Sequence, residues 1–316
     1  QAVSMVSELP FENAALVIDG SLEHIRWVEV DSRSMMRATI SPDGDLVAVA
    51  QPTDGGLTVR VEHLADGAVV AETGIDYGAG DTMLLLTDGA GLLHLAPDRL
   101  DLVTWDGEAT TDTLLTFDAG TGSPILAQTT DPDVVAVGTT NSSGTTMGYL
   151  VDVSTGDVTE IPHMLLAPFV HIAYRSNEPV GHVLAAAPTD DGGQATLQMI
   201  DVSTGEAALT SEPIDIAAEE LSAQAGTLPA KGTRGFVFLP DGQTIVLDAA
   251  TGEAIHIAPP ETDDAMQWTL HPSPAGTYLV PSSSASGDMF VMDLTRGEWR
   301  QLPAGTNGWF LPGTGS

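Results

Sequence analysis

The chain has 316 residues, enough for a large core, and sets 44 Asp and Glu against one Lys and nine Arg, a formal charge of −34. A surface this acidic disfavours binding to the nucleic-acid backbone and docking on anionic lipid, because both need a basic footprint. Cysteine is absent, which excludes a disulfide framework, a thiolate nucleophile and Cys-ligated zinc or iron-sulfur centres.

The 33 Gly and 20 Pro punctuate short runs rich in Val, Leu, Ile and Thr. Few segments show a 3.6-residue apolar period, so the chain reads as nearly all β. Residues 13–19 and 22–30 read as two outer strands with nothing before them. Residues 37–40, 83–87, 125–129, 171–175, 227–231, 267–271 and 309–311 read as innermost strands, with starts 46, 42, 46, 56, 40 and 42 residues apart. Second strands are expected at 46–50, 134–138, 182–187, 235–239 and 277–280. Each is followed by a strand that ends in a turn and then by a short outer strand.

That turn is the clearest repeat: Asp-x-x-x-Gly followed by an acid and carrying a Thr, starting at Asp152, Asp201, Asp248 and Asp293. The starts recur about every 45 to 50 residues, the period of a four-stranded propeller blade. In Asp152-Val153-Ser154-Thr155-Gly156-Asp157 the Asp side chain can bond the backbone two residues on, and the Gly supplies positive φ for the reversal. Each such Asp is therefore read as a turn former rather than an acid catalyst. Weaker echoes sit at Ala65-Asp66-Gly67 and Trp105-Asp106-Gly107-Glu108. Where the inner-strand spacing swells to 56, residues 214–225 place Ile214, Ala217 and Leu221 at helical intervals, which predicts a short helical insertion.

Turn signals run evenly from end to end without a linker-like tract, so residues 1–316 are read as one domain. Seven inner strands give seven blades. The last inner strand, at 309–311, has nothing after it, and pairing it with the N-terminal outer strands would close the sheet edges.

Ser41-Pro42-Asp43-Gly44, Leu239-Pro240-Asp241-Gly242, His271-Pro272-Ser273-Pro274-Ala275-Gly276 and the four Asp-Gly hairpins resemble the seven-bladed β-propeller superfamily. That superfamily includes tryptophan-aspartate-repeat and YVTN-type proteins, and the likeness is to bacterial secreted members. The resemblance covers essentially the whole chain and implies a closed all-β propeller outside the cytoplasm. The superfamily spans binding platforms, metal chaperones, lactonases, lyases and dehydrogenases, so the fold leaves activity open. No run of 18 apolar residues occurs, and no transmembrane segment is expected. Gln1 is compatible with a cleaved leader or with a lipid-anchored precursor.

Arg37, Arg175 and Lys231 fall on predicted innermost strands and Arg234 lies just beyond, so four of the ten cations approach the central channel. A channel mouth is a natural concave site, and the planar fork of Arg binds carboxylates bidentately. The expected ligand site is Arg37, Arg175, Lys231, Arg234 and His271, with Trp268 and Trp309 as apolar walls. Its ligand would be an anionic small molecule or a carboxylate of a partner protein. The competing reading has these Arg bonded to strand-end carbonyls or buried Asp, and the Trp pair filling gaps between blades.

A metal site is the next candidate. His163, His171 and His182 lie within a twenty-residue stretch, and His163-Met164 pairs an imidazole with a thioether, donors that suit zinc or copper. The resemblance includes propeller metallochaperones of bacterial zinc importers, although this chain has no His-x-His. No Gly-x-Ser-x-Gly and no phosphate-cradling loop occurs, and a carboxylate pair could be drawn from 44 acids at will. The expected function is a non-catalytic extracytoplasmic binding module. A periplasmic zinc or copper metallochaperone comes second and a propeller lyase or lactonase third.

Overall fold

In a computed structural model of the chain, the residues described are 14–18, 25–29, 38–41, 43–53, 56–75, 81–86, 91–105, 109–118, 120, 123–166, 179–224, 226–227, 233–239, 242–258, 266–267, 278–279, 282–283, 290–293 and 297–302. The chain divides into two compact units, Gln1–Ala119 and Gly120–Ser316. Among the described residues no helix is long and apolar enough to cross a membrane.

The first unit begins with a hairpin of β1 (Ala14–Ile18) and β2 (Ile25–Glu29), which agrees with the two outer strands read from the sequence. Two four-stranded antiparallel meanders follow. One runs β3 (Ala38–Ile40), β4 (Leu46–Thr53), β5 (Gly56–His63), β6 (Val69–Ile75). The other runs β7 (Thr82–Leu85), β8 (Gly91–Leu95), β9 (Arg99–Thr104), β10 (Thr110–Thr116). Central strands are covered on both faces: every residue of β8 is buried, and Val47, Ala48, Val49 and Ala50 are at most 1% exposed. The fourth strands are wet, with Val69 49% exposed on β6. Continuous apolar runs belong in strands sandwiched between two layers, which explains why alternation is weak in the former and clear in the latter.

The second unit repeats the plan. β11 (Ile125–Gln128), β12 (Val134–Thr140), β13 (Thr146–Asp152) and β14 (Val158–Pro162) form one meander. β15 (His182–Pro188), β16 (Ala195–Asp201) and β17 (Ala207–Thr210) form a three-stranded sheet. β18 (Gly226–Thr227), β19 (Arg234–Phe238), β20 (Thr244–Asp248) and β21 (Glu253–Ile257) form the next meander. Short pairs β22 (Met266–Gln267) with β24 (Ser282–Ser283), and β23 (Tyr278–Leu279) with β25 (Phe290–Asp293) and β26 (Glu298–Gln301), complete it. The inner strands expected at 171–175 and 309–311, and with the latter the closure of the chain ends, lie outside the described residues.

The Asp-Gly motif is a hydrogen-bonded turn between the third and fourth strands. Asp152 Oδ1 accepts bonds from Ser154 N at 2.9 Å, Ser154 Oγ at 2.7 Å and Thr155 N at 2.9 Å. Gly156, at φ 78°, donates its N–H to Asp152 O, and Asp157 N donates to Thr155 Oγ1 at 3.2 Å. Asp201, Ser203, Thr204 and Gly205 repeat this pattern, so each residue type of the motif has its own bond to make. The residue after the third-strand end also donates back to the residue before the second strand. Leu64 N reaches Asp45 O at 2.8 Å, Val153 N reaches Asp133 O at 2.7 Å, Val202 N reaches Gly181 O at 3.2 Å, and Ala249 N reaches Thr233 O at 2.8 Å. Opposite the motif Asp in register stand Val134, His182, Arg234 and Tyr278 in turn.

One expectation changes in detail. The helix, α1, spans only Ala218–Ser222, because Ile214 is taken by an isolated bridge in which its N–H and C=O both bond Ala195. Leu221 is fully buried in the apolar cluster that includes residues of β15 and β16, while Glu219 and Glu220 face outward in the first turn, favourably placed for the helix dipole. The two Pro-Asp-Gly turns are not equivalent: the one at Ser41–Gly44 joins first and second strands, whereas Leu239–Gly242 joins second and third.

Candidate functional site

Arg234, the one described member of the expected ligand set, begins β19 directly opposite Asp248 and bonds it, Nε to Oδ2, at 2.6 Å. Asp248 is buried and also accepts from Thr233 Oγ1 at 3.1 Å and Ala250 N at 3.0 Å. Burial alone would raise its carboxyl; the Arg234 and backbone bonds outweigh that and hold it below the usual carboxylate range. Arg234 is therefore built into its own hairpin, as the competing reading anticipates. Arg37, Arg175, Lys231, Trp268, His271 and Trp309 lie outside the described residues.

The expected metal ligands fall as follows. His182 opens β15 opposite Asp201, and its Nδ1 is buried without a hydrogen-bond partner. Burial pushes its imidazole below the ordinary His value, and the Asp201 carboxylate offsets part of that push. Asp201 is itself held low, first by the Ser203 hydroxyl. His163 follows β14 at φ 53°, the one non-glycine residue with positive φ among the described residues. Its N–H donates to Thr146 O and its C=O accepts from Ala186 N, both at 3.0 Å, which aligns it with a β15 position four residues from His182. His171 lies outside the described residues. Among the described residues no three His, Asp or Glu side chains stand where they would share a metal.

The densest charged cluster among the described residues lies in the first unit and includes none of the residues singled out above. His94 on β8 is 3% exposed; its Nε2 is 2.8 Å from Asp81 Oδ2 and its Nδ1 is 3.8 Å from Asp101 Oδ2. Asp101 on β9 accepts from Arg99 Nε at 2.9 Å and from Thr113 Oγ1 on β10 at 2.7 Å. The bond to Asp101 raises the Arg99 guanidinium above its ordinary value. One row of side chains thus ties the segment before β7 to β8, β9 and β10. On the same face Met83, Leu92 and Val103 pack against Leu46, Ala48, Ala50, Val59 and Val61 of β4 and β5, so the row lies beside an apolar seam.

An imidazole between two carboxylates is the arrangement by which a base is oriented in many hydrolases. Here the Asp81 and Asp101 side chains are 2% and 5% exposed and the ring is as deeply buried, so the row serves as a clasp on the sheet. A signal for it existed. The tight turn Ala96-Pro97-Asp98-Arg99, closed by Ala96 N to Arg99 O at 2.9 Å, sets Leu95 opposite Leu100 and hence His94 opposite Asp101.

No protein-family model matches the chain, and no curated protein matches it. Among solved structures it is similar to the β-propeller domain of Cps50 (Swd1) from Myceliophteria thermophila, with 14% identity, a TM-score of 0.43, and coverage of 92% of this chain and 80% of that one. It is also similar to the hydrazine synthase of Kuenenia stuttgartiensis, with 14% identity, a TM-score of 0.41, and coverage of 84% and 78%.

Proposed function

We propose that this chain is a non-catalytic binding module of seven-bladed propeller type, acting outside the cytoplasm, that takes an anionic small molecule or a partner carboxylate at its channel mouth. One observation carries the reading. Among the described residues, meanders recur with the same main-chain bond behind the turns at Asp152, Asp201 and Asp248, and each of those three carboxylates is bonded within its own turn. Rigid blades with engaged acids make a frame for recognition at the strand ends, where scaffold proteins carry their sites. Arg37, Arg175 and Lys231 would supply the cations and Trp268 and Trp309 the walls. Arg234, engaged with Asp248, belongs to the frame.

The test is thermal denaturation of the purified chain against citrate, malate and a short acidic peptide, with neutral sugars as controls. A bound carboxylate raises the Tm by mass action. The rise should be saturable in the wild type and lost in Arg37→Met and Arg175→Met; no saturable rise with any carboxylate refutes the reading. A chain ending at Pro303 tests closure separately, since it should lose cooperative unfolding altogether.

A further inference from the structure

We infer that the end of the β12–β14 sheet holds a built notch for one hydroxyl group, donated by an ordered water or by a polyol, between Thr146 and His163. Thr146 Oγ1 and His163 Nδ1 are both buried and neither has a hydrogen-bond partner. They belong to residues joined by the 3.0 Å bond from His163 N to Thr146 O, at the end of the β13–β14 pairing. Buried polar atoms in folded proteins are almost always satisfied, and two unsatisfied ones on residues linked by a main-chain bond call for a bridging group.

Three further facts shape the notch. His163 sits in the left-handed region, at φ 53°, a conformation that costs free energy for most residues and recurs where a side chain is held for a purpose. Its carbonyl is fixed by Ala186 N of the next sheet, so the conformation is imposed from both sides. Thr140, half-buried, is the direct register partner of Thr146 and projects from the same face, adding a third polar side chain that leads to the surface. Two residues along that face, Met164 packs on Gly148 and closes the floor with apolar atoms. A buried hydroxyl needs about two to four polar partners; Thr140, Thr146 and His163 supply them, with Nδ1 as acceptor and the Thr hydroxyls as donor or acceptor.

The sign of one substitution tests this. If Thr146 Oγ1 were a true orphan, Thr146→Val would remove a buried polar group with no bond to lose, and the Tm would stay or rise. If a hydroxyl bridges it, Thr146→Val breaks the bridge and the Tm falls by several degrees. Thr146→Ser, which keeps the hydroxyl, and His163→Asn, which keeps an acceptor at the same atom and tolerates the left-handed backbone, should hold the wild-type value. Thr244 is the control: it is fully buried, its Oγ1 is unpartnered, and its register partners Phe238 and Ile257 are apolar, so Thr244→Val should leave the Tm unchanged or raise it.

Oxygen-17 relaxation dispersion on the full chain separates the two sources. An ordered water appears as one long-lived water present in the wild type and missing in Thr146→Val. A polyol source appears as a saturable Tm rise with glycerol or a monosaccharide that Thr146→Val abolishes. A Thr146→Val protein as stable as the wild type overturns the inference. So does an unchanged long-lived water count together with no saturable polyol effect.

Discussion

Replacing His94 by Leu should destabilise the first unit by about 1–3 kcal/mol, the usual cost of taking a hydrogen-bond partner from a buried polar group. Asp81 and Asp101 would be left facing each other across an apolar residue, with side chains only 2% and 5% exposed. With a urea m-value of about 2 kcal/mol/M, that is a fall of roughly 1 M in the unfolding midpoint. The diagnostic is the cycle with Asp81→Leu. Taking out both members of the 2.8 Å pair removes the buried carboxyl along with the imidazole, so His94→Leu/Asp81→Leu should recover at least half of the loss. Arg99 and Thr113 would still satisfy Asp101. Urea titrations followed by far-UV circular dichroism measure all three proteins. A double variant less stable than His94→Leu alone would refute the view that the row is a paired clasp.

Arg234→Met should lower the Tm without weakening any carboxylate binding, because its Nε is committed to Asp248; a loss of binding at unchanged Tm would move Arg234 into the ligand site. Gly148→Ala would drive a Cβ into Met164 Sδ and place it 2.9 Å from Met164 Cβ, and rotamer changes cannot move the latter. Overpacking of this kind costs about 1–3 kcal/mol, whereas Gly193→Ala, with nothing within 4 Å, should be neutral in the same urea titration. Acidification should destabilise in two stages. Folding holds His182 below its ordinary value, so between neutral pH and the lower folded value the unfolded chain takes up a proton that the folded one resists, and stability falls as pH drops below about 6.5. Asp152, Asp201 and Asp248 are also held low, so their contribution is full above about 4 and is lost below it. His182→Gln should remove the first stage and leave the second in a Tm-against-pH series.

The strand frame was legible because period and turn chemistry speak through single residues: Asp152, Ser154, Thr155 and Gly156 each have a local bond to make, and local bonds leave a local signature. The helix was placed but over-extended, since the Ala195–Ile214 bridge joins residues nineteen positions apart and overrides a helical spacing. The fate of Arg234 depended on register. Reading Gly235 rather than Arg234 as the first residue of the second strand hid the pairing with Asp248. The His94 row was missed for a related reason: Asp81, His94, Asp101 and Thr113 are brought together by three successive strand pairings, and no short motif spans them.

The main-chain stitch behind each hairpin has an evolutionary corollary. Because an amide and a carbonyl hold the junction, the turn of the backbone there does not depend on which side chain stands opposite the motif Asp, and that place is taken by Val134, His182 and Arg234 in successive copies. An aliphatic, an imidazole and a guanidinium occupy one geometric address. A lineage that inherits such an address can exchange the chemistry it displays, copy by copy, without renegotiating how the backbone turns.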